Sequence, residues 1–138
     1  MVVRAYADKS AIPVRTALSI AAPDRLLRIA QALRLGMEET EIHEITHYDP
    51  WFIEQLNRIV TAEKSIQANG LPSDKIELLH IKQLGFSDTR IAKLANIDAG
   101  AVTALRHNLG VRPVFKRVDT CAAEFEALTP YLYSCYEG

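Results

Sequence analysis

Three groups of side chains carry the residue types that chemistry would need. The first is Cys121, set in "FKRVDTCAAE" between Lys116, Arg117 and Asp119 on one side and Glu124 on the other. A nucleophilic cysteine requires a base and a group to orient it. Asp119 and Glu124 are near in sequence, but the four histidines would reach it only through the fold. A prenylated cysteine must lie in a terminal box, and here the chain runs on. A Cys121–Cys135 disulfide requires an oxidising compartment, and the N-terminus MVVRAYADKS lacks the apolar stretch of a secretory signal. Both cysteines are therefore expected as thiols.

The second group is His43 and His47, four residues apart and so able to meet one metal from a single helical face. Zinc would need two further ligands, and neither Cys nor His follows at ligand spacing. Exposed or cap-linked histidines are the simpler expectation. The third group is the span 87–110, where two short helices with Ile91, Ala92, Ala95, Ile97, Val102 and Leu105 inward would form a helix-turn-helix DNA-binding module. Five basic and two acidic side chains from Lys82 to Arg112 favour phosphate contact. The reading helix, however, offers mostly Ala, Gly and Thr, with only Arg106 and Asn108 able to pair bidentately with a base edge. A structural helical pair explains the same pattern. No glycine-rich phosphate loop or Walker lysine occurs.

The elements that position these residues are helices. A chain of 138 residues, 49% apolar, supports one core, and a formal charge of −1 gives no field for nucleic acid or anionic lipid. No apolar run approaches the roughly 20 residues of a membrane helix. Residues 1–22 show no period and read as an irregular lead-in. From Pro23, the residues Leu26, Ile29, Ala30, Leu33 and Met37 recur every three or four residues, the pattern of an amphipathic helix ending near Gly36. A short helix with Ile42 and Ile45 inward follows. Asp49-Pro50 then starts a long one, with Trp51, Phe52, Leu56, Ile59 and Val60 as its expected buried stripe. Ser73 is read as the cap of a fourth helix closed by Gly85, Ser87 as the cap of a fifth, and Asp98 as that of a sixth stopped by Gly110. The fold class is all-α: a compact bundle of about six short helices over 23–113, with an extended, irregular segment over 114–138.

Four stretches in order, "PDRLLRIAQALRLGM", "ITHYDPWFIEQLNRIVTAEK", "LLHIKQLGFSDTRIAKLANI" and "FKRVDTCAAEFEALTPYLYSCYE", resemble the helical segment between the two synthetase halves of the carbamoyl phosphate synthase large subunit. That segment is the family's oligomerisation domain. The resemblance implies a cytoplasmic structural domain without catalytic, cofactor-binding or metal-binding residues of its own. The parent enzyme uses ATP, magnesium or manganese, and potassium to make carbamoyl phosphate for arginine and pyrimidine synthesis, at sites in the synthetase halves. It further implies three sets of partners: the other domains of the same subunit, other large subunits, and the small glutaminase subunit. No nucleic acid or membrane is implied. On this basis Leu33, Leu35, Met37 and Ile42 are expected to include residues at the subunit interface. Lys116, Arg117, Asp119, Tyr131 and Tyr133 are expected at a contact between domains, with Cys121 there as a small buried side chain.

Overall fold

The computed structural model describes residues 14–126 and 128–137. Among them are seven helices and a two-stranded ribbon, in the order α1 (Val14–Ser19), α2 (Arg25–Arg34), α3 (Glu39–Thr46), α4 (Pro50–Asn69), α5 (Lys75–Gln83), α6 (Asp88–Ala95), α7 (Ala99–Asn108), β1 (Val114–Arg117) and β2 (Leu132–Cys135). The all-α reading holds. The chain divides into two compact units, residues 1–61 and 62–138.

The helix ends follow from local chemistry. Asp98 accepts from the Gly100 amide at 2.7 Å and Ser87 from the Arg90 amide at 3.1 Å, each satisfying an amide that the first turn leaves without a partner. The fourth expected cap shifts by one residue. Asp74, not Ser73, accepts from the amides of Ile76 and Glu77 at 2.9 and 3.0 Å, because a carboxylate favours the positive helix end more than a hydroxyl does. At the other ends one motif recurs. The amides of Met37, Phe86, Ile97 and Val111 reach back five residues to the carbonyls of Ala32, Ile81, Ala92 and Arg106. This is the Schellman closure, which needs a left-handed residue just before the donor. Gly85 (φ 91°) and Gly110 (φ 68°) supply it without a Cβ penalty, and Asn96 (φ 55°) supplies it for α6. In two of the four, the residue after the turn is a core side chain, Phe86 or Val111. The stop signal thus also sets a packing contact.

The 1–61 unit packs α1, α2, α3 and the start of α4 around Leu18, Ile29, Ala32, Leu33, Ile42 and Ile53, with Val60 beside them. The lead-in is not wholly irregular: Val14–Ser19 is helical, and residues 1–13 lie outside those described. Its first helix is too short to show a period. It is held instead by tertiary bonds, since Arg25 Nε and Arg28 Nη1 of α2 donate to the Leu18 and Ala17 carbonyls at 2.9 and 3.0 Å.

In the 62–138 unit, α6 and α7 bury Ile91, Ala92, Leu94 and Val102, while α5 buries Leu78 and Ile81. After Val111 the helical pattern gives way to the antiparallel ribbon, paired Val114 with Cys135, Phe115 with Ser134, Lys116 with Tyr133 and Arg117 with Leu132. Extended backbone was expected for 114–117. Its pairing with 132–135 was not, because that partner is only four residues long. Among the described residues no helix is long and apolar enough to cross a membrane.

Candidate functional site

The two histidines of the metal reading part company at the end of α3. His47 leaves the helix with φ 54°, and His43 Nδ1 lies 2.7 Å from the Tyr48 carbonyl oxygen, closing the turn. Among the described residues no group of three His, Cys, Asp or Glu side chains is placed to hold a metal ion.

The α6–α7 pair is built round Asp88. Its Oδ1 accepts from Lys82 Nζ at 2.7 Å, and its Oδ2 accepts from Thr103 Oγ1 at 2.9 Å and Arg106 Nε at 3.0 Å. One carboxylate thereby ties α5, α6 and α7 together. Lys82 is itself buried, and its ammonium also donates to the Phe86 carbonyl at 2.6 Å. Partial burial raises the Asp88 carboxyl, but the hydrogen bonds from Lys82, Thr103 and Arg106 outweigh it and hold the group below the ordinary value of 3.8. Arg106 donates in addition to the Val111 carbonyl at 3.1 Å. The one arginine that a DNA-reading helix would offer is therefore turned inward, which favours the structural reading of this pair. Ile97, expected inward, is exposed, and Leu94 is buried in its stead.

Four residues were expected to include the subunit interface, and the fold separates them. Leu33 and Ile42 belong to the core of the 1–61 unit and cannot also face a partner. This corrects the expectation: helical spacing marks an apolar face without saying which surface covers it. Met37 packs partly against that core, and Leu35 alone stands out, 61% exposed. The α4 stripe is corrected in part: Val60 is buried and Leu56 packs at the core's edge as expected, but Ile53 turns inward in place of Trp51 and Phe52, which are 58% and 52% exposed. These two rings meet edge to face, 5.0 Å apart at 87°. The shift by one position leaves the largest apolar pair at the start of α4 in water. Sequence reasoning missed it because a tryptophan after a helix cap is most simply read as core. Leu26 is likewise exposed.

The residues expected at a domain contact gather on the ribbon and its loop. Asp119 fastens the loop: Oδ1 accepts from the Cys121 amide at 2.9 Å and Oδ2 from the Ala123 amide at 2.8 Å. Ala122 and Ala123 are both left-handed, at φ 50° and 62°, a conformation that a Cβ disfavours. Cys121 is half-buried in this loop, not buried as expected. Thr129 Oγ1 donates to the Val118 carbonyl at 2.9 Å, and the Val118 amide to the Tyr131 carbonyl at 2.9 Å, which extends the ribbon by one pair. Lys116 pairs with Glu137, while Tyr131 and Tyr133 are exposed. Burial and the neighbouring Glu137 carboxylate push the Cys135 thiol up. At the root of the ribbon, Lys82 Nζ sits 5.1 Å from the centre of the Tyr136 ring, beside a cavity of about 440 Å³ lined by Phe86, Ser87, Ser134 and Cys135 among others.

The family described as carbamoyl-phosphate synthetase large chain, oligomerisation domain, matches residues 3–110. The carbamoyl phosphate synthase large chain of Rhizobium meliloti (strain 1021) is 52% identical over 124 residues, 90% of this chain and 11% of its own length. That of Brucella melitensis biotype 1 is 48% identical over 130 residues, 94% of this chain, and that of Methanothermobacter thermautotrophicus 47% identical over 113 residues, 82% of this chain. The chain spans about a ninth of the length of these relatives. With four-fifths of its residues matched to one family and near-half identity to its large chains, the chain belongs to the oligomerisation domain family of carbamoyl-phosphate synthetase large chains.

Proposed function

We propose that this chain is the non-catalytic segment of a carbamoyl phosphate synthase large chain through which large chains associate and by which the two synthetase halves are joined. The carrying observation is the match of residues 3–110 to a domain described by oligomerisation, together with an exposed Trp51–Phe52 pair in that span. Bicarbonate, glutamine-derived ammonia and ATP, with the metal ions and potassium, are handled in this reading by the flanking portions of a cytoplasmic enzyme. The small glutaminase subunit binds there too. The helices described here supply shape and contact surface.

Trp51, Phe52 and Leu35 are the residues assigned to the second copy, with Met37 at their edge. Exposed aromatic pairs suit this role because large rigid rings bury much area at little entropic cost, and in a two-fold contact each residue counts twice. Sedimentation velocity of the chain across a concentration series tests the reading. Self-association is expected, and it should weaken at least tenfold when Trp51→Ser and Phe52→Ser are combined. A chain that remains monomeric at every concentration, alone and within the full-length large chain, overturns it.

A further inference from the structure

The cavity of about 440 Å³ beside Lys82 has the size of a small-molecule site, and both of its walls belong to the 62–138 unit. One wall is the α5–α6 junction, with Lys82, Gln83, Phe86 and Ser87. The other is the end of β2 and the residue after it, with Ser134 and Tyr136. Two hydroxyls, one side-chain amide and two aromatic rings thus converge on a buried ammonium.

The charge beside the cavity is out of balance. Lys82 and Arg106 are 5% and 11% exposed at their side chains, and both pair with Asp88, so two inward positive charges meet this carboxylate's single negative one. Positive charge in excess is costly in a poorly solvating site until an anion meets it. Among the described residues that line the cavity none is an acid. The Cys135 thiol, pushed up by burial and by Glu137, stays protonated near neutral pH, and Glu137 itself pairs with Lys116. The start of α6 adds to the same sign, since its cap Ser87 lines the cavity and the first-turn amides carry partial positive charge.

The hydrogen bonds of Lys82 say where an anion would attach. An ammonium has three N–H donors. One goes to the Phe86 carbonyl at 2.6 Å and a second to Asp88 Oδ1 at 2.7 Å. The third has no acceptor among the described residues; the Tyr136 ring lies 5.1 Å from Nζ and offers only its π-face. The Ser87 oxygen accepts from the Arg90 amide, which leaves its own proton to give.

We propose that this cavity binds a small oxyanion carried on a flat ring, an aromatic carboxylate or phosphate ester by chemical class, whose oxygens take the third Lys82 N–H and the Ser87 and Ser134 hydroxyls while its ring lies against Phe86 and Tyr136. A ligand so placed ties the end of β2 to the α5–α6 junction. The site uses none of the residues assigned to the second copy, so it stands or falls apart from self-association.

The test is an NMR titration of the isotope-labelled 138-residue chain with phenyl phosphate, benzoate and inorganic phosphate. Phenyl phosphate and benzoate should shift the amides of Gly85, Phe86, Ser87, Ser134, Cys135 and Tyr136 saturably, and the tighter of the two assigns the head group. Inorganic phosphate, lacking the ring, should bind at least about tenfold more weakly than phenyl phosphate. Lys82→Met should weaken binding of the ring-bearing probes by at least about tenfold. Because that variant also loses the Asp88 pair, Ser134→Leu, which fills the cavity from the ribbon side and leaves the buried charges in place, should weaken it equally. Three results each overturn the site: no saturable shift of these amides by either ring-bearing probe, equal affinity for phenyl and inorganic phosphate, or binding unaltered in Ser134→Leu.

Discussion

Replacing Asp88 by alanine removes the carboxylate that pairs with two inward cations. Lys82 Nζ and Arg106 Nε lie 2.7 and 3.0 Å from its oxygens, and the side chains of Lys82 and Arg106 are only 5% and 11% exposed. Breaking a buried pair by deleting one partner costs about 3–5 kcal/mol, because the remaining charge stays in a poorly solvating site. The Asp88 side chain is 18% exposed, so water screens part of this and the lower end, about 3 kcal/mol, applies. Against a total stability of roughly 5–15 kcal/mol this is severe. A unit of this size loses roughly 4 °C or more per kcal/mol, so the midpoint should fall by about 12 °C or more. Lys82→Met alone should cost less, since Asp88 keeps Thr103 and Arg106 as donors. The double variant should then be less destabilised than the sum of the two, with a coupling of about 1–3 kcal/mol.

The same group sets a pH dependence whose sign follows from its lowered carboxyl. A folded-state value below the unfolded one contributes stability that is present above the ordinary value of 3.8 and is lost as pH falls through the lower folded value. Chemical denaturation of wild type and Asp88→Ala at pH 7 and at a pH below the folded-state value of Asp88 measures both effects. The stability gap between them should narrow in acid. A loss under about 1 kcal/mol at pH 7, or a gap independent of pH, would refute the role given to this carboxylate.

Further outcomes can be measured on single variants. Ile42→Ala should cost about 2–5 kcal/mol in denaturant unfolding and leave the association constant of the remaining folded protein unaltered, since Ile42 is a core side chain and not a partner contact. Ala122→Gly should raise the thermal midpoint, by about 0.5–1 kcal/mol of stability, because glycine accepts φ 50° without a Cβ clash; a drop would mean that the left-handed pair is unstrained. Cys135 should alkylate more slowly near neutral pH than a free thiol, as its thiolate is disfavoured by burial and by Glu137, and Glu137→Gln should speed it. Ser87→Ala should cost about 1 kcal/mol through loss of the bond to the Arg90 amide.

The helices from Pro23 onward were legible because their signals are local. Cap residues, left-handed closers and apolar spacing act within one or two turns, so Ser87, Asp98, Gly85 and Gly110 sit where the sequence places them. The first helix escaped, because six residues show no period and the bonds that hold it come from Arg25 and Arg28 of another helix. The candidate surfaces were legible only by resemblance. Tyr131 and Tyr133 were placed in the open, but Leu33 and Ile42 were offered to a partner when the core takes them, and Trp51 and Phe52 were offered to the core when the fold leaves them out.

By itself, then, the sequence determined that the chain is helical, where most helices stop, and which family it belongs to, because these depend on short-range geometry and on order along the chain. The tertiary structure alone decided which apolar faces are spent inside and which remain open, that Arg106 turns toward Asp88 and away from solvent, and that two four-residue strands meet across a fastened loop. Those outcomes depend on which element lands against which, and a periodicity of 3.6 or 2 names a face without naming its neighbour.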